Sequence, residues 1–139
     1  MSEQTTSFRR TRNDHASETA EDYVEGIHDL IQRQGKCRVV DLATLFGVSH
    51  VTVTKIVSRL QKEGYVDTQP YAPITLTEDG QKLADEARQR HEIVLDFLRA
   101  IGVSEQQAAL DAEGIEHHVS PETLRCMAEV TMQKSRKKA

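Results

Sequence analysis

The sequence predicts a mainly α-helical protein, with a winged helix-turn-helix module followed by a helical module. Three observations predict it. Apolar residues recur at helical spacing over most of the 139 residues. Two β-prone triplets, Tyr65-Val66-Asp67 and Ile74-Thr75-Leu76, flank the turn-forming run Gln69-Pro70-Tyr71-Ala72-Pro73. The order helix, short helix, tight turn, helix, hairpin is that of a winged helix-turn-helix.

Residues 1–16 are polar, rich in Ser, Thr and Arg, and lack apolar periodicity, so a flexible tail is expected there. A first helix is expected over 17–34, where Tyr23, Ile27, Leu30 and Ile31 share a face and Gly35 is the stop. A short helix over 39–46 offers Val40, Ala43 and Leu45 for burial and ends at Gly47. Ser49 caps a third helix over 50–63, which Gly64 terminates. After the hairpin, Thr77 caps a long helix reaching about Ile101. Ser104 caps another, with Gln107 completing a capping box, and this helix is expected to end near His118. Ser120-Pro121 opens a last helix to about Lys134, followed by a frayed basic tail. The domain reading is therefore a tail (1–16), a winged helix-turn-helix domain (17–76) and a helical domain (77–139).

The bulk composition excludes several classes. With 37% hydrophobic and 29% charged residues, no apolar run is long enough to span a bilayer, so no membrane partner is expected. The polar N-terminus lacks the apolar core of a signal peptide, which points to the cytoplasm. Two cysteines, Cys37 and Cys126, are too few for a disulfide framework and have no zinc-type spacing. The net charge of -4 argues against indiscriminate nucleic-acid binding. Residues 31–64 reverse the sign: Arg33, Lys36, Arg38, Lys55, Arg59 and Lys62 face only Asp41 and Glu63. A basic segment on an acidic chain is either a solvated face or a DNA footprint.

Helical geometry decides which side of the third helix could read DNA. Val53, Ile56, Val57 and Leu60 share one face and should pack inward. Val51, Lys55, Ser58 and Lys62 lie opposite, flanked by Thr54 and Arg59. The N-terminal part of that outer face, His50, Val51, Thr52 and Lys55, should reach base edges. Val51 suits a thymine methyl and Lys55 suits guanine acceptors or phosphate, while Arg59 and Lys62 suit phosphates. An ordinary amphipathic helix in a small bundle would show the same periodicity.

A second constellation points to a cation. Asp22 and Glu25 are three residues apart on the first helix, hence on one face. Glu113, Glu116 and His117 do the same on the fifth, and His91 lies in line with Ala84, Ala87, Val94, Leu95 and Leu98 on the fourth. An acid pair is usually a solvated face, and a lone histidine on an apolar stripe is usually a core residue. Only their convergence raises metal binding above those readings. Gly114 is a poor choice inside a helix and suggests close helix approach or a bent backbone. Four carboxylates and two imidazoles with no thiolate favour a six-coordinate ion such as Mn²⁺ or Fe²⁺ over structural Zn²⁺. Four carboxylates also balance two divalent ions, so a pair about 4 Å apart with a bridging glutamate is expected.

Glu21-Asp22-Tyr23-Val24-Glu25-Gly26-Ile27, Arg90-His91-Glu92 and the block 111–118, Asp-Ala-Glu-Gly-Ile-Glu-His-His, resemble the diphtheria toxin repressor family, in its manganese-responsive branch. The resemblance runs in order over about residues 18–131 and includes the helix-turn-helix. It implies a homodimer on palindromic double-stranded operator DNA, repressing manganese uptake genes when Mn²⁺ is abundant. It also implies a binuclear site of Asp22, Glu25, His91, Glu113, Glu116 and His117, with metal held between the two domains. The iron-responsive branch carries Met in place of Asp22 and Cys in place of Glu113, and neither occurs here. That branch also has a C-terminal SH3-like domain, which is not expected in this chain. Fe²⁺, Co²⁺ or Zn²⁺ could occupy such a site in vitro. The competing readings are an iron- or zinc-responsive member of the family, a winged-helix regulator indifferent to metals, and a di-metal carboxylate enzyme. The enzyme needs glutamates from four facing helices with paired Glu-x-x-His motifs, and the candidate ligands form no such motif, so no catalytic activity is expected.

Overall fold

The computed structural model describes the backbone of residues 3–138 and the side chains of residues 16–137. The elements in order are α1 (Glu3–Gln34), α2 (Val39–Phe46), α3 (His50–Lys62), β1 (Val66–Asp67), β2 (Thr75–Leu76), α4 (Glu78–Ala100), α5 (Glu105–Ile115) and α6 (Pro121–Lys138). The two strands pair antiparallel, Val66 with Leu76 and Asp67 with Thr75. The chain divides into two compact units, one of His15–Asp85 and the other of Met1–Asp14 and Glu86–Ala139.

The first unit is the winged helix-turn-helix. Gly47, at φ 65°, takes the left-handed conformation that ends α2, its N–H donating to the Ala43 carbonyl. The chain bends through 111° between α2 and α3. Ser49 Oγ then accepts from Thr52 N at 3.1 Å and starts α3. Ile27, Leu42, Val53 and Leu60 are fully buried in one core, and each contributes about 2 kcal/mol through burial. Tyr23 stacks on Phe46 with ring centroids 4.4 Å apart, fixing α1 against the end of α2.

The hairpin is tied down at both ends. Ile74 N donates to the Cys37 carbonyl at 2.8 Å. At the other end Thr77 Oγ1 donates to the Gly64 carbonyl (2.6 Å) and accepts from Gly80 N (3.1 Å), so one hydroxyl caps α4 and holds the α3–β1 turn. Gly80 is where α4 meets that turn: a Cβ there would stand 1.9 Å from the Tyr65 carbonyl oxygen.

In the second unit, Ala108 and Ala112 of α5 are buried against Val94 and Leu98 of α4, with Leu124 and Met127 of α6 packed alongside. Arg99 Nε donates to Glu105 Oε2 at 2.8 Å, clamping the end of α4 to the start of α5. This hydrogen bond holds the guanidinium pKa above its ordinary value. Among the described residues no single helix is long and apolar enough to cross a membrane.

Several expectations need correction. The α1 backbone is helical from Glu3, not from Ser17, because nothing in that segment breaks a helix; Met1 and Ser2 lie outside the described residues. In α2 the inward face is Leu42 and Ala43, with Phe46 beside them. Val40 and Leu45 are 50% and 44% exposed because they fall off that i, i+3, i+4 stripe. The Ser104 box is only half formed: Ser104 Oγ accepts from Gln107 N, but the Gln107 side chain donates forward to Asp111. Arg38, not foreseen as a cap, donates its N–H to Asp41 Oδ2 at 2.9 Å. Helix α5 stops at Ile115, and α6 continues through the basic tail to Lys138.

The contact at Gly80 generates a test. Gly80→Ala should lower unfolding stability by about 3 kcal/mol, because the obstacle is backbone rather than a flexible side chain. A urea midpoint equal to that of the unsubstituted protein would show that α4 can move away from Tyr65 freely.

Candidate metal centre and nucleic-acid interface

The C-terminal turn of α5 carries a concentration of negative charge. Glu113 lies in its last turn and Glu116 is the C-cap residue, with the cap N–H bonded to the Ala112 carbonyl. A helix C-terminus is the negative end of the helix dipole, and α5 has no basic residue in its last turn. Acidic side chains there are destabilised unless a cation compensates them. Glu116 is moreover buried at 2% exposure, the one buried charged side chain among the described residues.

His91 provides part of the compensation. Its place on the apolar stripe of α4, between buried Ala87 and Val94, sets the imidazole against α5. His91 Nδ1 lies 2.7 Å from Glu116 Oε2 and 3.8 Å from Glu113 Oε1. His117 Nε2 approaches the other Glu116 oxygen at 3.3 Å. One ligand atom each from His91, Glu113 and Glu116 can be chosen so that all lie within 4.8 Å of one another. Two carboxylates and an imidazole gathered at the negative end of a helix fit a divalent cation, and the absence of thiolate fits a hard or borderline one.

The remaining predicted ligands, Asp22 and Glu25, stand on α1 in the first unit, both half-buried. Their spacing places them on one face, adjoining buried Tyr23 and Val24. Gly114 has open space where a Cβ would stand, so close helix approach within this chain is not its explanation.

The two faces of α3 are arranged as its periodicity requires. Val53, Val57 and Leu60 are buried, with Ile56 packed beside them. His50, Val51, Thr52, Lys55, Ser58 and Lys62 are exposed. Val51, at 65% exposure, is a large apolar side chain left to solvent at the start of the helix. Thr52 Oγ1 is engaged with the capping Ser49 hydroxyl at 3.0 Å. Arg59 is differently placed from Lys62: it ion-pairs with Glu63 at 3.1 Å and donates to the Ala16 carbonyl of α1 at 3.3 Å. Sequence reasoning missed this link, because it joins residues 43 positions apart.

Comparison with known proteins agrees with this anatomy. Residues 15–74 match the iron dependent repressor N-terminal DNA binding domain, and residues 77–136 match the metal binding and dimerisation domain of the same repressors. The chain belongs to the iron-dependent repressor family, as the motif resemblance implied. It is 50% identical over 117 residues to the transcriptional regulator MntR of Escherichia coli O6:H1, covering 84% of this chain and 76% of that protein. It is 46% identical over 100 residues to the HTH-type transcriptional regulator MntR of Lysinibacillus sphaericus, covering 72% of each. Among solved structures it resembles a manganese-dependent transcriptional repressor in complex with manganese, at 30% identity and a TM-score of 0.68. That match covers 84% of this chain and 52% of the other, so the chain spans about half the length of the solved protein.

The exposure of α3 separates two kinds of contact. Val51→Ala should relax discrimination at one operator position, whereas Lys62→Ala should weaken all duplexes alike and flatten the salt dependence. A Lys62→Ala protein with altered sequence preference and an intact salt slope would mean that the helix lies in the groove differently. At the metal centre, Glu113→Cys places a soft donor beside His91 and should move the metal ranking from Mn²⁺ towards Zn²⁺. An unchanged ranking by competition binding would remove Glu113 from the donor set.

Proposed function

We propose that this chain is a manganese-dependent transcriptional repressor, acting in the cytoplasm as a homodimer on palindromic operator DNA of manganese uptake genes. The observation that carries the reading is the thiolate-free donor cluster of His91, Glu113 and Glu116, in a chain whose relatives are named MntR. Those relatives are transcriptional regulators, and the chain is a regulator rather than an enzyme.

In this reading Asp22, Glu25 and His117 join His91, Glu113 and Glu116 as the full donor set, following the family motif residue by residue. Mn²⁺ when bound supplies the positive charge that the carboxylates lack, and four carboxylates match two such ions per subunit. Glu116, buried and shared by two imidazoles, is suited to the most enclosed position. Fe²⁺, Co²⁺ and Zn²⁺ are the competitors to be ranked. Residues 17–76 form the DNA-binding domain and 77–139 the metal-binding and dimerisation domain, close to the family matches. His50, Val51, Thr52 and Lys55 read base edges and Lys62 neutralises phosphate. Arg59 reaches phosphate only by giving up its Ala16 and Glu63 partners.

Because Asp22 and Glu25 lie on a helix of the DNA-binding domain and the other four donors do not, metal and operator binding become linked. Each tightens the other by the same factor, typically about 1–3 kcal/mol of coupling. The test is operator affinity with Mn²⁺, Fe²⁺, Co²⁺, Zn²⁺ or chelator, for the unsubstituted protein and for Asp22→Ala. Mn²⁺ should raise the affinity of the former, and Asp22→Ala should lose that gain while remaining a dimer by light scattering. Operator binding that ignores chelator would overturn the metal-dependent reading, and full activation of Asp22→Ala would overturn the linkage.

A further inference from the structure

A polar contact joins α1 to α4 within the first unit. His28 is half-buried on α1, one turn after Glu25, and Gln81 is half-buried in the first turn of α4. His28 Nδ1 stands 3.2 Å from Gln81 Oε1 and 3.1 Å from Gln81 Nε2. Asp85, one turn further along α4, decides which way the amide points. A carboxylate accepts, and Gln81 Nε2 donates to Asp85 Oδ1 at 2.9 Å. The second hydrogen of the same nitrogen is then available to His28 Nδ1.

The contact differs in kind from the rest of the α1 packing. Ala20, Tyr23, Ile27 and Leu30 hold α1 in the core by apolar burial, which is non-directional and sets no unique angle by itself. A hydrogen bond is directional. The α4 side of the contact is itself anchored. Gln81 N donates to the Thr77 carbonyl at 2.9 Å, Thr77 Oγ1 is bonded to the Gly64 carbonyl, and Gly80 stands against Tyr65. From there α4 is one unbroken helix through the division of the chain at residues 85 and 86. His91 follows Gln81 by ten residues, about 15 Å along the helix axis.

We propose that His28 and Gln81 are positioning residues for the linkage of metal and operator binding. Their bond fixes α1, with Asp22 and Glu25, against the base of the helix that carries His91. The inference rests on the repressor reading and the donor set proposed above, in which neither residue touches metal or DNA. A metal held by donors of both helices acts on the angle between α1 and α4. With the bond intact, that angle is already set, and α3 follows because it shares the core of α1. With the bond broken, part of the metal's binding energy goes into ordering α1, and less of it reaches α3.

The test removes the bond while keeping the bulk. His28→Leu and Gln81→Met, singly and together, leave apolar side chains of similar size. His28→Asn puts an amide oxygen in place of the accepting Nδ1. Affinity is measured with Mn²⁺ and with chelator, on a duplex selected from a random pool by the Mn²⁺-loaded unsubstituted protein. The ratio of the two affinities should fall about fivefold in each single variant, the scale of one hydrogen bond. Affinity in chelator should change by less than about twofold, the remainder of that same bond's scale. The double variant should fall no further than the single ones, since both act through one contact. His28→Asn should keep most of the ratio. In chelator, amide hydrogen exchange over residues 18–28 should be faster in His28→Leu and Gln81→Met, and unchanged in His28→Asn.

An unchanged ratio in both single variants would overturn the proposal while leaving the repressor reading intact. This includes equal losses with Mn²⁺ and with chelator, which would make the contact structural alone. Losses that add in the double variant would also overturn it, since the two residues would then act separately. So would unchanged exchange along α1 in both single variants. A loss in His28→Asn as large as in His28→Leu would overturn the assignment to Nδ1. If the unsubstituted protein binds its duplex equally with Mn²⁺ and with chelator, the repressor reading fails and this proposal fails with it.

Discussion

A carboxylate removed from water must be given compensation, and the helical unit is organised around that requirement at Glu116. Burial alone would cost several kcal/mol. Its position at the C-cap of α5 adds the unfavourable end of a helix dipole. His91 at 2.7 Å and His117 at 3.3 Å supply that compensation. For His91 to stand there, it must interrupt an otherwise apolar stripe on α4, and that stripe needs small partners to keep the helices close. Ala108 and Ala112, both fully buried on α5, provide them. The packing of the unit and the chemistry of its donors are therefore one arrangement.

The winged helix-turn-helix unit meets a different requirement: a small set of exposed side chains must be held steady while α3 lies partly open to solvent. Capping does much of this. Ser49 fixes the start of α3, Arg38 N–H and Asp41 fix the start of α2, and Thr77 binds the end of the hairpin to the turn after α3. The Arg59 bond to the Ala16 carbonyl connects α3 to the helix that carries Asp22 and Glu25. Rigidity of this kind spares the interface part of the ordering cost that binding would otherwise incur.

Much of this was legible in the amino-acid order, and the exceptions have physical reasons. The end of α2 follows from Gly47, whose left-handed backbone suits a helix C-terminus. The inward face of α3 follows from four apolar residues at unambiguous spacing. The cluster of His91, Glu113 and Glu116 was legible because i, i+3 spacing and the apolar stripe each fix a direction. The start of α1 was not legible, since a polar segment without glycine or proline is helical or irregular according to context. Val40 and Leu45 are misleading because hydrophobicity alone does not give a residue's position on the helix. Arg59 reads as a phosphate contact because nothing local reveals its partner on another helix.

The two cysteines stand at opposite extremes of availability. Cys37 is fully buried, and burial, reinforced by Asp41, pushes its thiol up to about 12. It stays protonated and shielded at neutral pH, and a protonated thiol is a poor nucleophile. Cys126 is free and exposed on α6. A maleimide or nitroxide reagent offered to the unaltered protein accordingly finds one reactive sulfur per chain. The helical unit comes with its own attachment point for a spin label or fluorophore, so distances between copies can be measured without mutating a residue.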